Sequence, residues 1–136
     1  MMVSKKTSVI VLVIVAVLAV AAAMYTPALF QTGTYGDVSV SEAYDLIQNE
    51  PGLVVLDVRT QTEYDEGHIE GAILIPVAEL PDRLNELSED DVLLVYCRTG
   101  NRSGTAMAIL GENGFSKVYH MHEGISTWIA EGLPVV

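Results

Sequence analysis

A single cysteine, Cys97, occurs in the 136 residues. That excludes an intrachain disulfide, and with it a cysteine-stapled scaffold or a multi-cysteine metal centre. Basic residues are also scarce: seven Lys and Arg stand against 18 Asp and Glu. Two of the seven, Lys5 and Lys6, lie at the extreme N-terminus, so the rest of the chain has five basic residues against eighteen acidic ones, a formal charge of −13. Such a surface repels nucleic acid and anionic lipid headgroups, and no nucleic-acid partner is expected. A chain this acidic that binds an anion must gather its few arginines where the anion sits. Charge of either sign is missing altogether between Lys6 and Asp37.

That uncharged stretch holds sixteen consecutive apolar residues, Val9 to Met24. Lys5 and Lys6 before it give the basic and apolar regions of an export signal. The run is longer than a usual signal core of about 7–15 residues, and approaches the roughly 17–25 of a membrane span. Ala21-Ala22-Ala23 offers a small-residue cleavage site, and no cysteine follows to carry a bacterial-type lipid anchor. Residues 1–30 are therefore expected to be a signal peptide or transmembrane anchor, and 31–36, with Gly33 and Gly36, a linker. Residues 37–136 are expected to form one domain, held on the extracytoplasmic side or released there if the signal is cleaved.

Within that domain, short apolar strands alternate with amphipathic segments. Strands are expected at Val38–Val40, Leu53–Val58, Ala72–Ile75, Val92–Tyr96 and Lys117–His120. Helices are expected after an N-cap at Ser41, over Ala78–Leu87, over Ser103–Glu112 and over Gly124–Ala130. Pro51-Gly52 and Asn113-Gly114 supply the stops. Thr60 to Gly71 reads as a polar connection. This alternation implies a parallel α/β sheet with helices on both faces.

The chemistry concentrates in Cys97-Arg98-Thr99-Gly100-Asn101-Arg102-Ser103, between a buried strand and a helix. The carboxyl end of a strand in an open α/β sheet is where ligands bind. The helix that follows aims free N–H groups at the loop, and a tight loop can turn more of them inward around an anion. Arg98 and Arg102 add positive charge on either side of Gly100. Helix N-termini and cations lower a thiol from its ordinary pKa of about 8.5. Cys97 is thus expected to ionise without a dedicated base.

Cys97 to Ser103 resembles the active-site loop of rhodanese domains. Leu56-Asp57-Val58-Arg59, Glu63-Tyr64 and Gly67-His68-Ile69-Glu70-Gly71-Ala72 resemble that family's N-terminal signature, and Gly124 with Trp128 its C-terminal one. The resemblance covers roughly Gly36 to Val136. It implies a small α/β domain with a central parallel sheet of about five strands, and a sulfurtransferase that needs no cofactor or metal. Cys97 would take the sulfane sulfur of a small anionic donor such as thiosulfate, forming a persulfide, and pass it to a thiol or cyanide. Some domains of the family instead only carry persulfide or bind partners. Cysteine phosphatases of the same fold have five residues between cysteine and arginine; here four separate Cys97 from Arg102, which suits a sulfur atom better than a phosphate and ranks phosphatase or arsenate reductase below sulfurtransferase.

Other residues are less specific. Asp57 and Arg59 follow a buried strand at the same edge as Cys97, and can orient the loop or pair with each other. His68 is read as shaping a turn. His120 and His122 form a weak metal-pair pattern without a third ligand, so no metal is expected. Glu123 can face the mouth of the site, which the sequence does not decide, and Trp128 is placed in the core.

Overall fold

Val55 and Leu56 are neighbours in sequence but join opposite hydrophobic clusters, one on each face of the same strand. A strand covered on both faces has to be apolar throughout, and Leu53 to Val58 is, apart from Asp57. The computed structural model describes residues 35–136 together with Val13 and Ile14. The expected signal or anchor over 1–30 lies outside the described residues. Among the described residues no helix is long and apolar enough to cross a membrane.

In chain order the elements are β1 (Gly36–Val38), α1 (Val40–Asn49), β2 (Val54–Asp57), α2 (Gln61–Glu66), β3 (Ile73–Leu74), α3 (Leu80–Arg83), β4 (Leu93–Tyr96), α4 (Asn101–Glu112), β5 (Val118–Met121) and α5 (Gly124–Ala130). All strand pairs are parallel, in the order β1-β5-β4-β2-β3. The expected five-stranded parallel sheet is therefore present. Val38, Ala43, Leu94, Met121 and Trp128 belong to the core on the face covered by α1 and α5. Leu56, Leu80, Val95, Cys97 and Leu110 belong to the core on the face covered by α3 and α4.

Several boundaries differ from the sequence expectation, each for a local reason. Ser39, not Ser41, caps α1: its Oγ accepts from Glu42 N–H at 3.2 Å, and Glu42 Oε2 accepts from Ser39 N–H at 2.8 Å. This is the reciprocal capping box, which needs an acid three residues on. Ser41 has Tyr44 there. A cap at Ser39 also stops β1 at Val38, where Val40 had been expected as its last residue. The expected helix over Ala78–Leu87 is two shorter pieces, α3 and a 3₁₀ turn at Leu84–Glu86. Pro81, in the first helical turn, fixes the late start.

The connection Thr60–Gly71 contains α2, which buries none of its residues and so shows no apolar periodicity. Its signal is the capping box of Thr60 with Glu63. Helix α4 begins at Asn101, two residues before the expected Ser103. Arg102 and Ser103 therefore stand in its first turn.

Candidate active site

β4 delivers Cys97 to the carboxyl edge of the sheet, 1% exposed. The chain then turns through Gly100, at φ +100°, directly into α4. A side chain at Gly100 would collide with the carbonyl of His122, and one at Gly124, at φ +75°, with the carbonyl of Arg98. The loop and the start of α5 thus touch backbone to backbone. Ile125 N–H donates to Cys97 O at 2.9 Å, Ser126 N–H to Arg98 O at 3.1 Å, and Ser126 Oγ to the same carbonyl at 2.8 Å. Two glycines far apart in sequence make that approach possible, which explains their place in the motifs.

Inside the turn the donors converge on sulfur. Gly100 N–H donates to Cys97 Sγ at 3.1 Å, and Ser103 Oγ lies 3.3 Å from it. The N–H groups of Thr99 and Ser103 also favour the thiolate. No side chain caps α4, so its free amides serve the sulfur instead. Burial pushes the Cys97 thiol up, but the hydrogen bonds from Ser103, Thr99 and Gly100 outweigh it and hold the thiol below its ordinary value.

The two loop arginines have different surroundings. Arg98 is exposed, makes no ion pair among the described residues, and lines a groove with Arg59, Glu63, Ser126 and Ile129. Arg102 instead points to α2, donating to Glu63 Oε2 at 2.7 Å and Oε1 at 2.8 Å. That pairing draws the Glu63 carboxyl down from its ordinary 4.5 to about 2. Arg102 still gains from the Cys97 thiolate, less than from Glu63. Hydrogen bonds rather than arginine charge are therefore the main support of the ionised sulfur, a different balance from the sequence expectation. Thr99 and Asn101 are exposed on the rim, and Ser103 is fully buried.

Asp57 and Arg59 pair with each other below the groove. Arg59 Nη2 donates to Asp57 Oδ2 at 2.6 Å and to Gly67 O at 2.8 Å. Tyr96 O–H donates to the same Asp57 oxygen at 2.7 Å and accepts from Ile69 N–H at 3.1 Å. This network ties β2, β4 and the Gly67–Ile69 turn together, and burial beside Asp57 pushes the Tyr96 hydroxyl far up. His68 stacks on Tyr64, with ring centroids 3.6 Å apart, and its Nδ1 lies 2.9 Å from Tyr64 O. Glu123 is not at the mouth: its Oε2 accepts from Val40 N–H at 2.8 Å, at the start of α1. Trp128 is 1% exposed and bonds Pro134 O. Among the described residues no cluster of His, Cys, Asp or Glu is arranged to hold a metal.

Sequence reasoning missed Glu63 as the partner of Arg102 and Tyr96 as the partner of Asp57. It also missed His120, whose Nε2 lies 2.7 Å from Ser103 Oγ. The alternation of β5 with Val118 and Met121 in opposite cores was the available signal for a buried His120.

Comparison with known proteins fits this geometry. The chain is 36% identical over 84 residues to a sulfurtransferase of Allochromatium vinosum, covering 62% of this chain and 78% of that one. It is 34% identical over 116 residues to the tRNA uridine(34) hydroxylase of Salmonella typhimurium, covering 78% of this chain but 33% of the relative. Among the curated relatives it matches, the chain thus spans from a third to about three quarters of their length. The crystal structure of a rhodanese-related protein from Thermoplasma volcanium superposes with a TM-score of 0.69 at 35% identity, covering 75% of this chain and 98% of that one. The rhodanese-like domain family matches residues 39–131. With the strand, the loop and the glycine clamp all falling inside that match, the chain belongs to the rhodanese-like domain family.

Proposed function

We propose that this protein is a sulfurtransferase that works through a persulfide on Cys97. The Cys97 thiolate attacks the outer sulfur of thiosulfate or a related anionic donor. The bond from that sulfur to the sulfonyl group breaks and sulfite leaves with the electron pair, so an anionic persulfide replaces an anionic thiolate. A thiol, or cyanide in an assay, then takes the outer sulfur and returns the thiolate.

One observation carries this reading: a buried sulfur at the N-terminus of α4 with Gly100 N–H at 3.1 Å and Ser103 Oγ at 3.3 Å. The ring of donors suits a thiolate and, after loading, a persulfide anion. Arg98 at the groove attracts the anionic donor against the negative charge of the domain. Arg102, held by Glu63, keeps the first turn of α4 in place. Turnover of thiosulfate and cyanide should vanish in Cys97→Ser, a nearly isosteric change, while the fold remains; turnover in folded Cys97→Ser contradicts the proposal. A relay role, with Cys97 passing sulfur to a partner protein, uses the same site and differs only in the acceptor.

We also propose that residues 1–30 export the domain and hold it at the membrane, on the strength of Lys5, Lys6 and the apolar run. Alkaline extraction of membranes with N-terminal sequencing tests this. A soluble protein that starts near Met24 contradicts the anchor and keeps the export; a soluble, unprocessed cytoplasmic protein contradicts both.

A further inference from the structure

Cys97 stands at one end of a chain of side chains that runs away from the groove. Cys97 Sγ is 3.3 Å from Ser103 Oγ, and Ser103 Oγ is 2.7 Å from His120 Nε2. His120 Nδ1 is 2.8 Å from Asp37 Oδ1. The parallel register sets Asp37 of β1 beside His120 of β5, and α4 lays Ser103 over them. Ser103 is fully buried and His120 is 7% exposed. Neither His120 nor Asp37 lines the groove, and the sulfur chemistry described above uses neither.

The proton count gives this chain a purpose. A serine hydroxyl has one hydrogen, and three acceptors surround that of Ser103: Cys97 Sγ, His120 Nε2 and, at 3.1 Å, Gly100 O. The Asp37 carboxylate only accepts, so Nδ1 is the protonated nitrogen of a neutral ring. Nε2 is then bare and takes the Ser103 hydrogen. In that state Ser103 has nothing to donate to sulfur, and only a thiol, donating its own hydrogen, satisfies Oγ. When the ring is an imidazolium, Nε2–H donates to Oγ and the Ser103 hydrogen is free to turn to a thiolate.

We infer that His120 is a positioning residue that stores the Cys97 proton, acting through Ser103; the inference rests on Cys97 being the nucleophile proposed above. The S–H bond breaks and its proton passes to Ser103 Oγ, while the Ser103 O–H proton passes to Nε2. Two protons each move one step, and the net transfer is one proton from sulfur to imidazole. Thiol and imidazole become thiolate and imidazolium, and the serine ends unchanged. Of the charged and titratable groups on the flanking elements, Asp37 on β1 and Cys97 beyond β4 belong to this chain of side chains; Arg102 on α4 is turned toward Glu63, Tyr96 of β4 lies in the opposite core, and Glu112 is exposed at the last position of α4. Lys117, ahead of β5, reaches Asp90 O. Asp37 is thus the partner set to hold the ring charge.

With one cysteine in the chain, the far-ultraviolet absorbance of thiolate, taken as a difference against Cys97→Ser, reads Cys97 alone. His120→Gln keeps a polar group near the Nε2 position but cannot ionise. Its thiolate titration should move upward by about one pH unit, a tenfold loss of thiolate below the midpoint. Coupling is reciprocal, so the His120 ring should titrate at lower pH in Cys97→Ser than in the native protein, read by NMR. If His120→Gln does not fold, the Cys97→Ser measurement decides alone. An unchanged thiolate titration in folded His120→Gln, or an unmoved His120 ring in Cys97→Ser, overturns the inference. Loading with thiosulfate, followed by mass, is the separate arm. Shifted titrations without sulfur loading keep the proton store and reject the sulfurtransferase; loading without shifts does the reverse.

Discussion

Glu63 holds Arg102 through two hydrogen bonds, at 2.7 and 2.8 Å, and so ties α2 to the first turn of α4 across 39 residues of chain. The pair stands over the loop that contains Cys97. Its effect on stability has a defined pH window. Glu63 ionises at about 2 in the folded protein against an ordinary 4.5. A depressed folded value means the contribution is fully present above pH 4.5, and is lost as pH falls through about 2. Glu63→Gln should therefore be less stable than the native protein near neutrality, and the difference should close as pH falls through that window. Urea unfolding at a series of pH values checks this. A difference independent of pH would mean that packing, not charge, joins the helices.

Tyr96→Phe should destabilise the domain by about 1–3 kcal/mol, because it leaves a buried N–H of Ile69 without its acceptor and removes a donor from Asp57. The Tyr96 ring lies in the α1 and α5 core and Cys97 in the opposite one. The thiolate titration of Cys97 should accordingly stay where it is. Denaturant unfolding and far-ultraviolet titration separate the two effects.

Gly124→Ala places a Cβ against the Arg98 carbonyl at a left-handed φ of +75°. The backbone conformation alone costs about 1–2 kcal/mol, and the collision adds to it. The loop must move, carrying Thr99 and Gly100 away from the sulfur. The variant should lose stability and titrate its thiol at higher pH. A native titration would show that the clamp by α5 does not set the loop.

Much of this was legible in the sequence, and the rest was hidden for physical reasons. The apolar runs of β2 and β4 gave themselves away because strands covered on both faces carry no polar alternation. Cys97 to Ser103 was legible because its residues are contiguous. Helix α2 was not, because it buries none of its residues, and its only mark was Thr60 with Glu63. Ser39 and Ser41 are two residues apart and equally good caps, until Glu42 is seen to close the box with one of them. Asp37 and His120 meet across 83 residues through the sheet order, which no local pattern encodes. The sharing of Arg102 with Glu63 was hidden in the same way.

If Cys97 carries sulfur as a persulfide, mass spectrometry of the intact protein reads the added atom directly. Incubated with thiosulfate and no acceptor, the protein should gain the mass of one sulfur atom, placed at Cys97 by peptide mapping, and cyanide should remove it. No mass gain at any thiosulfate concentration, or a gain that survives in Cys97→Ser, would contradict the account.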